Sequence, residues 1–326
     1  MAKYCAKCRT FVHEEGICPG CGNHQLEKIG KKPKKRKAKK LVLVCVALGA
    51  LTLLTIVLLW VNINRYSEGL SYALLDNGTY EVSGIGSFNG TRLNIPPEYN
   101  GAPVTQIRKN AFKGCRELTE IKIPKSVTDI RNWAFENCTG LKKFEVDKKN
   151  EKYVSIDGVL FTKDKTRIIA YPPVKRGSVY EIPQGVSIIG TFAFSSCKGL
   201  TEIEIPDSVT TIEYGAFEKC FNLRNVEIPD SVTEIEICAF ENCRSLTEIK
   251  IPKGVTEIKS WTFSGCKGLT EIKMSGIVTS IETGAFHECD SLADIYYAGS
   301  ISQWNAIDKK DSNIPASAIF HLNSND

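Results

Sequence analysis

Two rhythms of hydrophobic and polar positions run through this chain, separated from its beginning by a stretch with no polar rhythm at all. That stretch, residues 41–61 (LVLVCVALGALTLLTIVLLWV), is 21 residues without a charge. At about 1.5 Å rise per residue it reaches across the ~30 Å hydrocarbon core of a bilayer, so it predicts one transmembrane α-helix. A cleaved signal would have a shorter apolar run and a small-residue cleavage site. This run ends instead on Leu59, Trp60, Val61 and Asn62.

After residue 94 the pattern turns periodic. Ile182, Ile205, Ile228 and Ile251 each open IPxxVTxI-like text, and Met274 stands at the next place 23 residues on. A period in the twenties marks a solenoid. One unit reads IPDSVTTIEYGAFEKCFNLRNVE from Ile205, and earlier units begin at Ile95 and Ile123, making seven. The first carries extra residues around Tyr99-Asn100-Gly101, and the second is followed by a 36-residue insertion. Within each unit LxxIxIP alternates with period two, which points Leu and both Ile inward on a short strand and the residues between them outward. A second inward run (Val209, Ile212) and the pair Ala216-Phe217 close each turn. No unit can bury its apolar face alone, so the units must fold as a stack. The expected fold is a β-rich leucine-rich-repeat solenoid with a hairpin insertion.

The unit with AFxxCxxL resembles the BspA-like leucine-rich-repeat family of bacterial surface proteins, over roughly residues 72–322. The lead-in SYALLDNGTYEVSGIG, the insertion YVSIDGVLFTKDKTRIIAYPP and the ending YYAGSISQWNAI are similar to that family's amino-terminal piece, hairpin interruption and cap. The resemblance implies a surface-exposed protein that binds protein or glycan in adhesion.

Charge is distributed unevenly. Residues 1–40 hold twelve Lys/Arg against three Asp/Glu, so the net charge of +5 belongs to that arm and the rest is slightly acidic. The run KKPKKRKAKK at 31–40 abuts the apolar span, which favours lipid contact over nucleic acid and, by the positive-inside rule, places the amino terminus in the cytoplasm and the solenoid outside the cell. No nucleic-acid partner is expected.

Thirteen cysteines divide into two patterns. Cys5, Cys8, Cys18 and Cys21 form two CxxC pairs, a ligand set that suits tetrahedral Zn²⁺ in a closed, structural site. CAKC and CPGCG resemble the short zinc ribbons at the start of many bacterial membrane proteins. Such a segment folds only with metal. Cys115, Cys138, Cys197, Cys220, Cys243, Cys266 and Cys289 share one repeat phase three residues before the inward Leu. They read as a ladder of small buried thiols more readily than as redox or metal ligands, with disulfides between rungs left open.

The domain plan is therefore a zinc ribbon (1–26), a basic linker (27–40), the transmembrane helix (41–61), a linker and amino-terminal cap (62–94), repeats 1–2 (95–146), the insertion (147–181), repeats 3–7 (182–296) and a carboxyl-terminal cap (297–326). Outward strand positions form two columns on the expected concave face, and Glu120, Glu202, Glu204, Glu227, Glu248, Glu271 and Tyr296 are the candidate ligand contacts. A solvated, register-keeping surface is the plainer reading of the same charges. The position before each Ala-Phe holds Trp133, Phe192 and Trp261 where other units have Asn, Gly or Cys. Half-buried packing is the simpler reading of these aromatics. Four histidines and no nucleophile, phosphate or dinucleotide motif leave no catalytic constellation, so enzymatic activity is not expected. An alternative to adhesion is a sensor that relays occupancy of the solenoid to a cytoplasmic partner of the ribbon.

Overall fold

The computed structural model describes residues 3–5, 10–12, 68–309 and 311–322. The expected membrane span at 41–61 and the ligands Cys8, Cys18 and Cys21 lie outside the described residues, and of Cys5 only the backbone is described. Among the described residues no helix is long and apolar enough to cross a membrane. The chain divides into two compact units, residues 1–60 and 61–326. In the first, Lys3–Cys5 pairs antiparallel with Thr10–Val12, Cys5 standing opposite Thr10.

In the second unit each LxxIxI text forms a short strand that pairs in parallel with its counterpart in the next unit. Arg92–Asn94, Glu120–Ile123 and Lys143–Val146 make one sheet. Val179–Glu181, Glu202–Glu204 and Asn225–Glu227 make a second. Glu248–Lys250, Glu271–Ser275, Asp294–Ala298 and Ile319–Leu322 make a third. The centre of each strand is buried, as at Ile121, Ile203, Ile249 and Ile272. Proline ends most of these strands because it has no N–H to continue the ladder.

Two further ladders close each turn. In the VTxI run the backbone N–H of Thr210 donates to the Ser187 carbonyl (2.9 Å) and that of Thr233 to Thr210 (3.0 Å). At the Ala-Phe corner the N–H of Phe194 donates to Ala216, Phe217 to Ala239, Phe240 to Thr262 and Phe263 to Ala285, at 2.8–3.0 Å. The phenylalanine rings stack along the solenoid axis at centroid separations of 5.1–5.8 Å from Phe194 to Phe286.

The repeat-phase cysteines are free thiols. Cys138, Cys220, Cys243, Cys266 and Cys289 each donate an S–H to the phenylalanine carbonyl of the preceding unit, at 3.0–3.2 Å. Each of these carbonyls also accepts the N–H of the cysteine three residues on in its own unit, so the thiol supplies a second donor and finds a partner for its own S–H inside an apolar core. Burial pushes the thiols of Cys138 and Cys289 up to about 12 and raises those of Cys197, Cys243 and Cys266 as well. Protonated, inward-facing sulfurs of this kind are poor metal ligands and poor nucleophiles.

The insertion is part of the stack. Tyr153–Ile156 and Val159–Thr162 form a hairpin around Asp157-Gly158, both with positive φ, and Val159–Thr162 pairs antiparallel with Arg167–Ala170. Arg167–Ala170 then runs parallel to Ile188–Ile189, and Tyr171 stacks on Phe194 at 5.0 Å. The end of the insertion thus supplies one rung of the second ladder and a tyrosine in the phenylalanine column. Sequence alignment on Ile-Pro passes over both, because this rung carries neither the Phe nor the Cys of a regular unit.

At the carboxyl end, Ser300 caps the short helix Ile301–Ala306 through a reciprocal pair with Gln303, and Trp304 packs between Tyr297 and Phe320. This seals the last rung.

Candidate ligand-binding strand face

Because side chains alternate across a strand, the residues flanking each buried isoleucine emerge on one surface. Strand pairing fixes their order. In one column Glu120 stands beside Lys143, Glu202 beside Asn225, and Glu248 beside Glu271 and then Asp294. In the other, Lys122 stands beside Glu145, Glu204 lies between Glu181 and Glu227, and Lys250 precedes Lys273, Tyr296 and His321.

The seven candidate residues fall into three groups. Glu120 is in the amino-terminal sheet, where Lys143 reaches it at 3.3 Å and Arg92 at 3.8 Å. Lys143 also pairs with Glu145, and that hydrogen bond holds the Glu145 carboxyl below its ordinary range and the Lys143 ammonium above its own. Glu248, Glu271 and Tyr296 are in the carboxyl-terminal sheet. There Lys273 pairs with Glu271 at 2.5 Å, which raises the ammonium. Tyr296 stacks on His321 at 4.3 Å, and His321 Nε2 meets Asp294 Oδ1 at 2.7 Å.

Glu202, Glu204 and Glu227 come together in the middle sheet, joined by Glu181, which sequence reasoning left inside the insertion. Its signal was available: it immediately precedes Ile182-Pro183, the phase of Glu204 and Glu227. Glu181, Glu204 and Glu227 are exposed and occupy three successive rungs, about 4.8 Å apart. Among the described residues none of the three has a salt-bridge partner. Like charges directly opposite one another destabilise a sheet. An open groove of about 710 Å³ runs over Glu202, Glu204 and Glu227, bounded further by Asp207, Asp230 and Lys250. Asp230 is the neutralised member: Lys253 lies at 3.2 Å and Lys250 at 3.6 Å, and the hydrogen bond from Lys253 lowers its carboxyl. The ion pairs of the face thus cluster toward its two ends, and the stack of Glu181, Glu204 and Glu227 has none.

Among the described residues no cluster of three metal-ligating side chains forms. Parallel strands stacked at a 23-residue spacing, with inward leucine and isoleucine and a charged outer face, define a leucine-rich-repeat protein. The BspA-type leucine-rich-repeat region matches residues 87–173 and 178–306 in six copies, and the chain belongs to that family.

Two solved structures share the fold. A leucine-rich-repeat protein from Eubacterium ventriosum is 20% identical, with a TM-score of 0.52 over 77% of this chain and 96% of that one. The pneumococcal vaccine antigen PcpA is 22% identical, with a TM-score of 0.55 over 72% of this chain and 68% of that one. No curated protein shows significant sequence similarity.

Proposed function

We propose that this chain is a single-pass surface protein whose solenoid lies outside the cell and binds a protein or glycan partner through the strand face, in adhesion. The observation that carries this reading is the stack of Glu181, Glu204 and Glu227, three like charges on successive rungs, on a face whose ion pairs fall to either side of it. A fold gains nothing from three adjacent uncompensated carboxylates, whereas a partner with a basic patch does. The apolar run at 41–61 supplies the anchor, and the basic residues at 31–40 hold the amino terminus on the cytoplasmic side.

In the amino-terminal module Cys5, Cys8, Cys18 and Cys21 would hold Zn²⁺. The antiparallel pairing of Lys3–Cys5 with Thr10–Val12 fits that reading, since Cys5 ends the first of its two strands. Bound there, the ion supplies structure, four thiolates leaving no open coordination position. The relay to a cytoplasmic partner has no observation in its favour comparable to the glutamate stack.

The test is adherence of cells displaying the full-length chain to immobilised host and bacterial surface proteins and glycans, with Glu181→Lys, Glu204→Lys and Glu227→Lys combined. The expected result is adherence that weakens with salt and is lost in the triple variant at unchanged surface display. Equal adherence by the variant would remove the strand face from the proposal. Protease shaving of intact cells that spares the solenoid would remove the surface location.

A further inference from the structure

The phenylalanine column has one defect. Phe112, Phe194, Phe217, Phe240, Phe263 and Phe286 are all 0% exposed, whereas Phe135 is only half-buried. Phe112 stacks on Phe135 at 5.9 Å, and Phe135 then turns edge-on to Phe144 at 4.9 Å instead of meeting another unit. The Ala193 carbonyl, which a regular unit would offer to Phe135, is taken by the N–H of Tyr171 at 2.7 Å. A cavity of about 150 Å³ remains between the two sides, lined by Phe135 and Trp133 from one and by Tyr171 and Phe192 from the other.

The backbone at this gap carries unusual residues. The corner before each Ala-Phe pair is left-handed, with φ near 60° at Asn110, Trp133, Phe192, Gly215, Cys238, Trp261 and Gly284. Glycine adopts this conformation freely, while a bulky residue there costs about 1 kcal/mol or more. For Phe192 and Trp261 the compensation is visible. Their rings cover the next unit's glycine so closely that a Cβ on Gly215 or Gly284 would lie 2.4 or 2.7 Å from ring atoms. Trp133 has no glycine to cover. It meets Phe192 edge-on at 6.0 Å and 69° and Tyr214 at 5.9 Å, while the Lys109 ammonium lies 3.8 Å from the centre of its ring, so the Trp133 and Phe192 rings form a corner at the cavity with a cation beside it.

The polar lining is complementary to a ligand with many hydroxyls. Arg131 pairs with Asp129 through Nε at 2.8 Å, and Arg167 with Glu213 through Nη2, so each guanidinium keeps further N–H donors. The Asn132 amide is exposed beside them. Thr191 donates its hydroxyl to Glu213 at 2.8 Å and retains lone pairs.

We propose that this gap binds a single pyranose residue of a glycan. A cavity of roughly this volume holds a ring the size of benzene, so a pyranose would seat one face of its ring here and leave its outer hydroxyls at the open mouth. A sugar ring sets its apolar C–H face on aromatic walls and its hydroxyls on amide and guanidinium donors. An aromatic side chain of the same size would leave those donors unmatched, and a small anion would leave the rings unused. The site shares no residue with the glutamate groove and stands or falls independently of it.

The test uses the full-length chain in phospholipid nanodiscs, with saturation-transfer NMR on methyl glycosides of glucose, galactose, mannose, N-acetylglucosamine and glucuronic acid. At least one should give saturable transfer to its ring protons. Trp133→Asn, which installs the residue the first unit has at this φ, should weaken that glycoside at least about tenfold without lowering the thermal midpoint. Ile169→Phe, which fills the cavity from its wall, should abolish binding in a folded protein. Glu204→Lys should leave the glycoside signal intact and so separate this site from the strand face. Saturable transfer from none of the five would overturn the proposal, as would binding that survives both Trp133→Asn and Ile169→Phe, or displacement of the sugar by benzyl alcohol at lower concentration.

Discussion

The solenoid holds two apolar cores that meet across one hairpin strand, and they are stabilised in different ways. The carboxyl-terminal core is repetitive: five consecutive phenylalanines stack, and the thiols of Cys197, Cys220, Cys243, Cys266 and Cys289 are at most 1% exposed. The amino-terminal core has only two units, and both Cys115 and Phe135 are half-buried. It relies on single residues instead. Asn150 is 1% exposed and uses its whole amide: Nδ2 donates to the Pro124 and Val127 carbonyls, and Oδ1 accepts from the N–H groups of Lys152 and Tyr153. Tyr153 Oη accepts from Ile130 N–H at 2.8 Å, and Tyr72 stacks on Tyr99 at 3.9 Å. Where the repeat is short, side chains with unique partners do what the next rung does elsewhere.

The joint is the sharpest place to break this arrangement. Val159, Leu160 and Phe161 are all 0% exposed, and they alternate between the cores, Leu160 in the amino-terminal one and its neighbours in the other. Phe161→Ala should cost about 4 kcal/mol and split one denaturant transition into two, as followed by circular dichroism against urea. Asn150→Ala takes the donor from the buried Val127 carbonyl and the acceptor from the Lys152 and Tyr153 N–H groups, and should cost about 3 kcal/mol. Its loss should fall on the amino-terminal transition alone, measured by hydrogen exchange.

Alkaline pH should do the opposite. The buried thiols titrate well above their unfolded value near 9, so above that pH the unfolded chain sheds protons that the folded chain keeps. Their contribution is full below pH 9 and declines from there toward about 12. The carboxyl-terminal core, with more such thiols, should show the steeper fall in thermal midpoint across that window. Smaller still is Gly284→Ala, which meets the Trp261 ring and a φ of +68° and should cost about 2 kcal/mol. The smallest effect is expected at Glu204→Lys, which relieves the glutamate stack and should stabilise by about 0.5 kcal/mol in a melt at low salt.

Much of this architecture was legible because repetition averages out ambiguity. Seven phase-locked phenylalanines and cysteines are difficult to read any other way, and the inward Leu-Ile-Ile text sets the strand register that orders the glutamate columns. The insertion was legible as strands and turns, since Asp157-Gly158 and Lys163-Asp164 carry turn chemistry, but not as a rung. Tyr171 substitutes for phenylalanine without the flanking pattern, and only the pairing of Arg167–Ala170 with Ile188–Ile189 reveals the substitution. The same misreading left Glu181 out of the candidate face. Nor does the sequence announce a left-handed corner at Trp133, Phe192, Cys238 and Trp261, because none of these is the Gly or Asn that such a backbone favours.

The thiol ladder bears on how such a chain changes over generations. From Phe194 to Phe263 each phenylalanine carbonyl accepts the S–H of the next unit's cysteine, so the junctions between these units are alike. An in-frame duplication or loss of one 23-residue cassette in that arm therefore rejoins matching sockets, and the sealed end built on Trp304 is carried along unchanged. The amino-terminal arm lacks this freedom, since Asn150 and Tyr153 fit one set of neighbours only. Variation in the number of units among related genes should be concentrated after the hairpin, where the solenoid can be lengthened a step at a time.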